Sequence, residues 1–176
     1  MVKGTFERLP EKKKQRITDA LLNEFSHHAL TDSQVARIVK DADIARGAFY
    51  KYFDNLTDAY MYLYQIAIKE IHIRMSPNAK FDPDFFYDRV VKFIDETQHS
   101  KYEPMMKLHI LQNSAALPGS MRTNSEQLLH LSPEMWSAMV LSHEVITSVF
   151  SDPDNKEQNL KRYKEALYLV DRGSKE

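Results

Sequence analysis

Residues 33–53, SQVARIVKDADIARGAFYKYF, decide the fold of the N-terminal part of this chain. The first half predicts a short helix over Ser33–Lys40, because its apolar residues recur at helical spacing. These residues are Val35, Ile38, Val39 and Ala42. A turn at Asp41–Asp43 follows, and a second helix begins near Ala45. The apolar side chains that this second segment turns inward are Ile44, Phe49 and Phe53. Two helices joined by so short a connection cross steeply, which is the helix-turn-helix arrangement.

Both ends of the first helix carry local signals. Thr31 and Gln34 have the spacing of a capping box at its start. The turn after it commonly requires a positive φ angle, which favours glycine, and Asp43 stands there instead. Aspartate tolerates that conformation better than most residues other than glycine, so the turn is still expected.

The second helix presents one face away from its apolar residues, and that face is the candidate surface for DNA, because such a helix can enter a major groove. Arg46 can donate two hydrogen bonds to a guanine edge, and Ala48 can touch a thymine methyl group. Gly47 lowers helix stability by about 1 kcal/mol relative to alanine, which makes sense if the backbone must approach DNA closely. The remaining candidates are Tyr50 and Lys51 for phosphates, and Tyr52 for DNA or for the core.

Residues 25–53 resemble the DNA-binding domain of the TetR/AcrR family of one-component repressors, whose pattern is F-x8-T-x3-I-A-x2-A-G-V-x4-L-Y-x-Y-F-x2-K. The corresponding positions are Phe25, Gln34, Ile38, Val39, Ala42, Asp43, Ile44, Phe49, Tyr50, Tyr52, Phe53 and Leu56. Apart from exchanges of one apolar residue for another, three of them differ: Gln34 replaces Thr, Asp43 replaces Gly, and Leu56 replaces a Lys that commonly contacts a phosphate. The resemblance implies a dimeric repressor of a double-stranded DNA operator, and it places Gln34 in the DNA-binding set.

Composition limits the class of protein. The 176 residues include no cysteine and no stretch of about 20 apolar residues, so neither disulfides, thiolate metal sites nor a membrane span are expected. No apolar run of signal-peptide type follows the start, and we expect a cytoplasmic protein. Residues 1–53 hold ten Lys or Arg and seven Asp or Glu, a net charge of +3, whereas the remaining 123 residues have a net charge of −4. A basic head on an acidic body is typical of a DNA-binding head, and a chance imbalance is the alternative.

The sequence contains no motif for catalysis or for a cofactor. It has no Gly-rich phosphate loop, no His-Glu-x-x-His and no nucleophile elbow. His27 and His28 are adjacent and point in different directions on a helix, which is poor spacing for metal ligands. His72, His109 and His143 lie on or near apolar faces, where a lone histidine is more often a core residue. We therefore expect no enzyme, no metal and no cofactor.

The rest of the chain predicts helices. A long helix over Asn55–Met75 can link the DNA-binding head to the body, and further helices are expected at 84–99, 104–116 and 124–130. Bulky, adaptable side chains of the body suggest a pocket for an apolar or aromatic small-molecule effector, and plain core packing is the alternative. The pocket candidates are Tyr60, Tyr64, Phe86, Phe93, Met105, Met106, His109, Trp136 and Met139.

The last two helices carry narrow apolar seams with heptad spacing, which predict helix-to-helix packing. The seam residues are Trp136, Met139, His143, Ile146 and Phe150 on one helix and Leu160, Tyr163, Leu167 and Val170 on the next. Two such helices from each of two chains would make a four-helix homodimer interface, as TetR-like proteins typically do. The alternative is an intramolecular hairpin packed on its own body.

The sequence thus predicts an all-α protein with an N-terminal three-helix helix-turn-helix DNA-binding domain, residues 1–54, and a helical ligand-sensing and dimerisation domain, residues 55–176. The expected function is ligand-responsive repression at a palindromic operator bound by a dimer. One alternative is a helical dimer of the same ancestry without DNA binding, motivated by Asp43 and Leu56. Another is a small-molecule-binding or catalytic helical protein.

Overall fold

The computed structural model describes residues 2–71, 80–117 and 130–173, and every regular element in these ranges is helical. The predicted all-α fold class is therefore confirmed. The helices, numbered in chain order, are α1 (Gly4–Glu7), α2 (Glu11–His27), α3 (Val35–Asp41), α4 (Arg46–Tyr52), α5 (Leu56–Glu70), α6 (Pro83–Gln98), α7 (Glu103–Leu108), α8 (Ser114–Ala116), α9 (Pro133–Ser151) and α10 (Lys156–Gly173). A π-helical turn, His109–Asn113, joins α7 to α8. Within the described ranges, no helix combines the length and the apolar character that a membrane crossing requires.

Side-chain caps explain where two of the longer helices begin. Asn55 Oδ1 accepts a hydrogen bond from Asp58 N at 2.9 Å and starts α5. Asp82 Oδ1 accepts from Asp84 N at 3.0 Å and starts α6, whose first residue is a proline. These are the residue types that satisfy the unpaired N–H groups of a first helical turn.

Two predicted helices extend into parts of the chain that the structure does not describe. The helix expected over Asn55–Met75 ends at Glu70 with Ile71 as its C-cap, and residues 72–75 lie outside the described ranges. The helix expected over 124–130 also lies outside them, apart from its last residue.

The described residues 2–71 and 100–117 form a first compact unit. Its central helix is α2, which packs against α3, α5 and α7. The apolar stripe of α2, Ile17, Leu21 and Phe25, is completely buried. The helix-turn-helix, α5 and the π-helical turn therefore share one hydrophobic core.

The described residues 80–99 and 130–173 form a second compact unit, in which α6 packs against α9 and α10. The residues of α6 that were expected to point inward are all buried: Phe86, Val90, Phe93 and Ile94. The predicted division into domains at residues 1–54 and 55–176 stays a prediction.

The apolar seam of α10 is filled within the chain itself. Leu160, Tyr163 and Leu167 are 8%, 4% and 0% exposed. The Tyr163 hydroxyl also lies 2.7 Å from Ser142 Oγ of α9. At these three positions α6 and α9 already cover the seam in a single chain, as in the intramolecular alternative, and the predicted dimer interface stays a prediction.

Candidate nucleic-acid interface

The connection between α3 and α4 is a Schellman turn. Ala42 ends α3 in the right-handed helical region, and Asp43 follows with a φ angle of 48°. Ile44 N donates to Val39 O at 3.0 Å. Asp43 N donates to Lys40 O at 3.3 Å, which completes the hydrogen-bond pair of this motif. The left-handed position of the motif is usually glycine, so the conformation expected of Asp43 is confirmed.

A carboxylate from α2 anchors the start of α3. Glu24 Oε1 accepts a hydrogen bond from Gln34 N at 2.7 Å. The same carboxylate accepts two more from Arg37, Nη2 at 2.6 Å and Nε at 2.8 Å. Burial alone would raise the pKa of Glu24, but the hydrogen bonds from Arg37 and Gln34 outweigh it and lower the pKa. The predicted capping box at Thr31 is therefore wrong, because the N-cap Gln34 has no side-chain cap and its N–H is satisfied by another helix.

Helix α4 has a buried face and an exposed face. Phe49, together with Phe53 just after the helix, is completely buried in the first unit. The opposite face is exposed, and it carries Arg46, Gly47, Tyr50 and Lys51. Gln34 is also exposed, and Ala48 is half-buried. Six of the seven predicted DNA-binding residues thus remain accessible on the helix-turn-helix.

Two residues of the exposed face have features that suit contact with DNA. Arg46 Nη2 donates to Tyr50 OH at 3.4 Å, and the guanidinium carbon lies 5.8 Å from the centre of the tyrosine ring. Four further N–H donors of Arg46 are not used by this bond, since a guanidinium carries five. A Cβ atom placed on Gly47 would meet nothing within 4 Å. Packing within the protein therefore does not require glycine at this position.

Tyr52, the seventh predicted DNA-binding residue, belongs to the core. It is 7% exposed, and its ring packs edge-on against Phe6 with the centres 5.7 Å apart. Of the two roles that the sequence left open for Tyr52, the structure shows the packing role, because α1 covers the ring.

Basic residues of α2 lie beside the turn. Arg16 Nη2 donates to the backbone oxygen of Asp43 at 3.3 Å, and Arg16 Nη1 lies 3.8 Å from the Asp43 carboxylate. Lys12, Lys13 and Arg16 line an open groove of about 920 Å³ along the same helix. Leu56, which replaces the lysine of the family pattern, is the first residue of α5 and is half-buried.

A buried chain of hydrogen bonds connects the π-helical turn with the segment before α3. Tyr60 OH lies 2.8 Å from His109 Nδ1, and the Tyr64 ring stacks on the imidazole with the centres 4.1 Å apart. Asn113 Nδ2 donates to Tyr60 OH at 3.4 Å, while Asn113 Oδ1 accepts from Leu30 N at 2.9 Å. Burial raises the pKa of Tyr60 well above its ordinary value, so its hydroxyl keeps its proton. π-Helical turns frequently occur at functional sites.

The residues predicted to line an effector pocket are divided between the two compact units. Those in the first unit are Tyr60, Tyr64, Met105, Met106 and His109, and those in the second are Phe86, Phe93, Trp136 and Met139. Tyr60, Met105 and Met106 are at most 1% exposed, whereas Trp136 is 51% exposed. The structure brings Tyr60, Tyr64 and His109 into contact, and the complete pocket stays a prediction.

The predicted dimer residues on α9 differ in exposure. Trp136 and the neighbouring Val140 are 51% and 46% exposed, and His143 is also exposed. Met139 and Ile146 are half-buried, as is Val170 of α10, and Phe150 is only 3% exposed. Spacings of four and three residues place Trp136, Val140 and His143 on one face of α9. In the single chain, this face of α9 therefore leaves the apolar side chains of Trp136 and Val140 exposed to solvent.

Two residues that support the interface, Glu24 and Asn113, were not among the predicted site residues. Glu24 and Asn113 each satisfy a backbone N–H group of a distant segment. In the sequence, each is marked only as a polar residue within the apolar stripe of a helix. Such a residue indicates a hydrogen bond to a distant segment, because a buried polar group needs a partner.

Comparisons with known proteins agree with this geometry. Residues 17–57 match the family model described as bacterial regulatory proteins, tetR family. A comparison with curated protein sequences finds no match. A TetR family transcriptional regulator from Chloroflexus aurantiacus J-10-FL has a similar structure, with a TM-score of 0.56, 20% identity and 98% of each chain covered. A TetR regulator from Rhodococcus sp. RHA1 has a TM-score of 0.54 at 16% identity, with 90% of this chain and 98% of that chain covered.

NalD of Pseudomonas aeruginosa, the secondary repressor of the MexAB-OprM multidrug efflux pump, also has a similar fold. Its TM-score is 0.52 at 14% identity, with 91% of this chain and 96% of that chain covered. Residues 17–57, which include the helix-turn-helix, are therefore similar to the tetR family of bacterial regulatory proteins, and the chain as a whole has the fold of these TetR-family transcriptional regulators.

Proposed function

We propose that this protein is a ligand-responsive transcriptional repressor that binds a palindromic DNA operator as a homodimer. The exposed face of α4 is the observation that carries the proposal. Arg46, Gly47, Tyr50 and Lys51 are accessible there on a helix whose other face is anchored in the core. That combination is what a recognition helix needs, because its base-reading side chains must protrude while the helix itself stays fixed.

Each exposed residue has a role in the proposed complex. Arg46 reads a guanine edge, and Ala48 contacts a thymine methyl group. Gly47 permits close approach of the backbone, and its open surroundings are compatible with this role. Tyr50 and Lys51 hold phosphates. Gln34, exposed at the start of α3, contacts the DNA beside the recognition helix.

The exposed face of α9 supports a homodimer. Trp136 and Val140 are about half exposed, and Leu169 of α10 is 66% exposed. Large apolar side chains of this kind are typical of the anchors of an interface. The proposed dimer places two copies of α4 about 34 Å apart, one turn of the DNA, so that the protein reads two half-sites.

The buried polar chain supports a response to a signal. The Asn113–Leu30 hydrogen bond joins the π-helical turn to the segment that leads into α3. An apolar or aromatic effector that rearranges Tyr60, Tyr64 and His109 would alter this bond and with it the position of the helix-turn-helix. The coupling between the two sites is reciprocal. The effector therefore lowers operator affinity by the same factor as the operator lowers effector affinity. The likeness to NalD, a repressor, supports repression rather than activation.

Selection of bound sites from random DNA duplexes tests the proposal. The purified protein is expected to enrich palindromic sites whose half-sites lie about 10 base pairs apart from centre to centre. The matched control is Arg46→Ala together with Lys51→Ala, which changes only exposed residues of α4 and is expected to enrich nothing. Enrichment of no sequence by the wild-type protein favours a helical dimer without DNA binding.

A further inference from the structure

The recognition helix α4 ends without the usual local cap. It has only seven residues, Arg46–Tyr52, and its C-cap Phe53 has an extended backbone. The last four carbonyl groups of a helix have no partner inside the helix. Here these are the carbonyls of residues 49–52, and only that of Phe49 is satisfied by the chain that follows, through Phe53 N at 2.9 Å.

The N-terminal arm, residues 2–9, satisfies the other three carbonyl groups. Lys3 Nζ donates to Tyr50 O at 2.9 Å, and Lys3 N donates to Tyr52 O at 3.0 Å. Thr5 Oγ1 donates to Lys51 O between them. All four terminal carbonyls of α4 therefore have a donor, and three of the donors come from residues at least 46 positions earlier in the chain.

Two further contacts hold the arm in place. Phe6 is 2% exposed, and its ring lies against Tyr52, Phe53 and Tyr62 at centre distances of 5.7, 5.1 and 5.1 Å. Lys3 Nζ also lies 2.6 Å from the Asp54 carboxylate just beyond α4. The buried ring fixes the arm to the core, so the donors of Lys3 and Thr5 stay opposite the end of α4.

We propose that Lys3 and Thr5 are positioning residues for operator recognition, which cap the recognition helix from outside the helix-turn-helix motif. The proposal rests on the proposed DNA-binding function. A helix of seven residues is not stable by itself in water, and Tyr50 and Lys51 lie in its last turn. Without the arm this last turn frays, and both phosphate contacts lose their fixed geometry.

The hydroxyl of Thr5 gives the sharper test, because Thr5 is exposed and carries no charge. Thr5→Val keeps the shape of the side chain and removes the donor to Lys51 O, whereas Thr5→Ser keeps the hydroxyl and is the matched control. Hydrogen–deuterium exchange is measured at the amides of residues 51–53, with the amides of α9 as the internal reference. Operator affinity is measured on the same samples at several salt concentrations.

We expect Thr5→Val to speed exchange at residues 51–53 and to weaken operator binding, each by roughly two- to tenfold per chain, as the loss of one hydrogen bond implies. The salt dependence of binding stays unchanged, because no charge is lost. Thr5→Ser restores both quantities. Lys3→Met is expected to act in the same direction, also without a change in the salt dependence.

Three results would overturn the proposal. Unchanged exchange at residues 51–53 in Thr5→Val shows that the hydroxyl does not cap α4. Faster exchange with unchanged operator affinity shows a cap without a role in recognition. A salt dependence that falls by about one charge per chain in Lys3→Met shows that Lys3 binds a phosphate directly. If the wild-type protein binds no duplex, the proposed DNA-binding function is wrong, and the role of Lys3 and Thr5 in recognition is wrong with it. The exchange measurement then still shows whether Thr5 caps α4.

Discussion

Replacing Asp43 by glycine and by alanine tests whether the turn between α3 and α4 stores backbone strain. Asp43 has a φ angle of 48°, the left-handed position of the Schellman turn. For a residue with a Cβ atom this conformation costs about 1–2 kcal/mol, and glycine adopts it freely. Glycine loses about 0.5–1 kcal/mol more backbone entropy on folding, which offsets part of the gain. The exposed Arg16–Asp43 contact, 3.8 Å long, adds little because both side chains are solvated.

We therefore expect Asp43→Gly to be more stable than Asp43→Ala by about 1 kcal/mol, with the wild-type protein between them. Urea unfolding at fixed pH measures the difference. Asp43→Asn is the control for charge, because asparagine tolerates the left-handed region while it removes the carboxylate. An Asp43→Ala protein as stable as Asp43→Gly would mean that the turn does not require a residue in the left-handed conformation.

Three further predictions concern the interface, its anchor and the dimer. Arg46→Ala is expected to weaken operator binding by about 1–3 kcal/mol and to relax specificity at one base pair per half-site; an equal loss on all sequences in a binding assay would show a phosphate contact only. Glu24→Gln is expected to lower the free energy of unfolding by about 1–3 kcal/mol. Because the pKa of Glu24 is lowered below its ordinary value of 4.5, the stabilisation from this carboxylate is present above that value and is lost as the pH falls through the folded-state pKa. Urea titrations at several pH values measure the loss of stability and its pH dependence. If the stability of Glu24→Gln falls with acid as much as that of the wild-type protein, Glu24 does not have this role. Val140→Asp is expected to give folded monomers in analytical ultracentrifugation, because Val140 is 46% exposed in the single chain; a dimeric variant would place the interface elsewhere.

The helix-turn-helix could be predicted because its determinants are local. Residues 33–53 contain the apolar spacing of both helices and the turn residue, so the bounds of α3 and the start of α4 follow from the sequence to within two residues. The apolar stripe of α10 was equally visible, but its spacing did not say which surface covers it. Within one chain α6 and α9 cover Leu160, Tyr163 and Leu167, and a periodic stripe looks the same whether its partner is intramolecular or a second chain.

The supports of the interface could not be predicted, because they join residues that are far apart in the chain. Asn113 contacts Leu30 across 83 positions, and Lys3 contacts Tyr50 across 47. Such hydrogen bonds exist only after the core has assembled, and no local pattern encodes them. The cap of α3 shows the same effect at shorter range, since the Glu24 carboxylate from α2 replaces the local acceptor expected at Thr31.

If the exposed face of α4 reads DNA sequence, the protein must distinguish two duplexes of equal composition. The affinity of the wild-type protein is determined by fluorescence anisotropy for a selected palindromic duplex and for a scrambled duplex of the same composition, at a series of salt concentrations. We expect the selected duplex to bind about a thousandfold or more tightly than the scrambled one, with two chains per duplex and an affinity that falls as salt rises. Equal affinity for both duplexes, or no binding at low salt, would contradict this expectation.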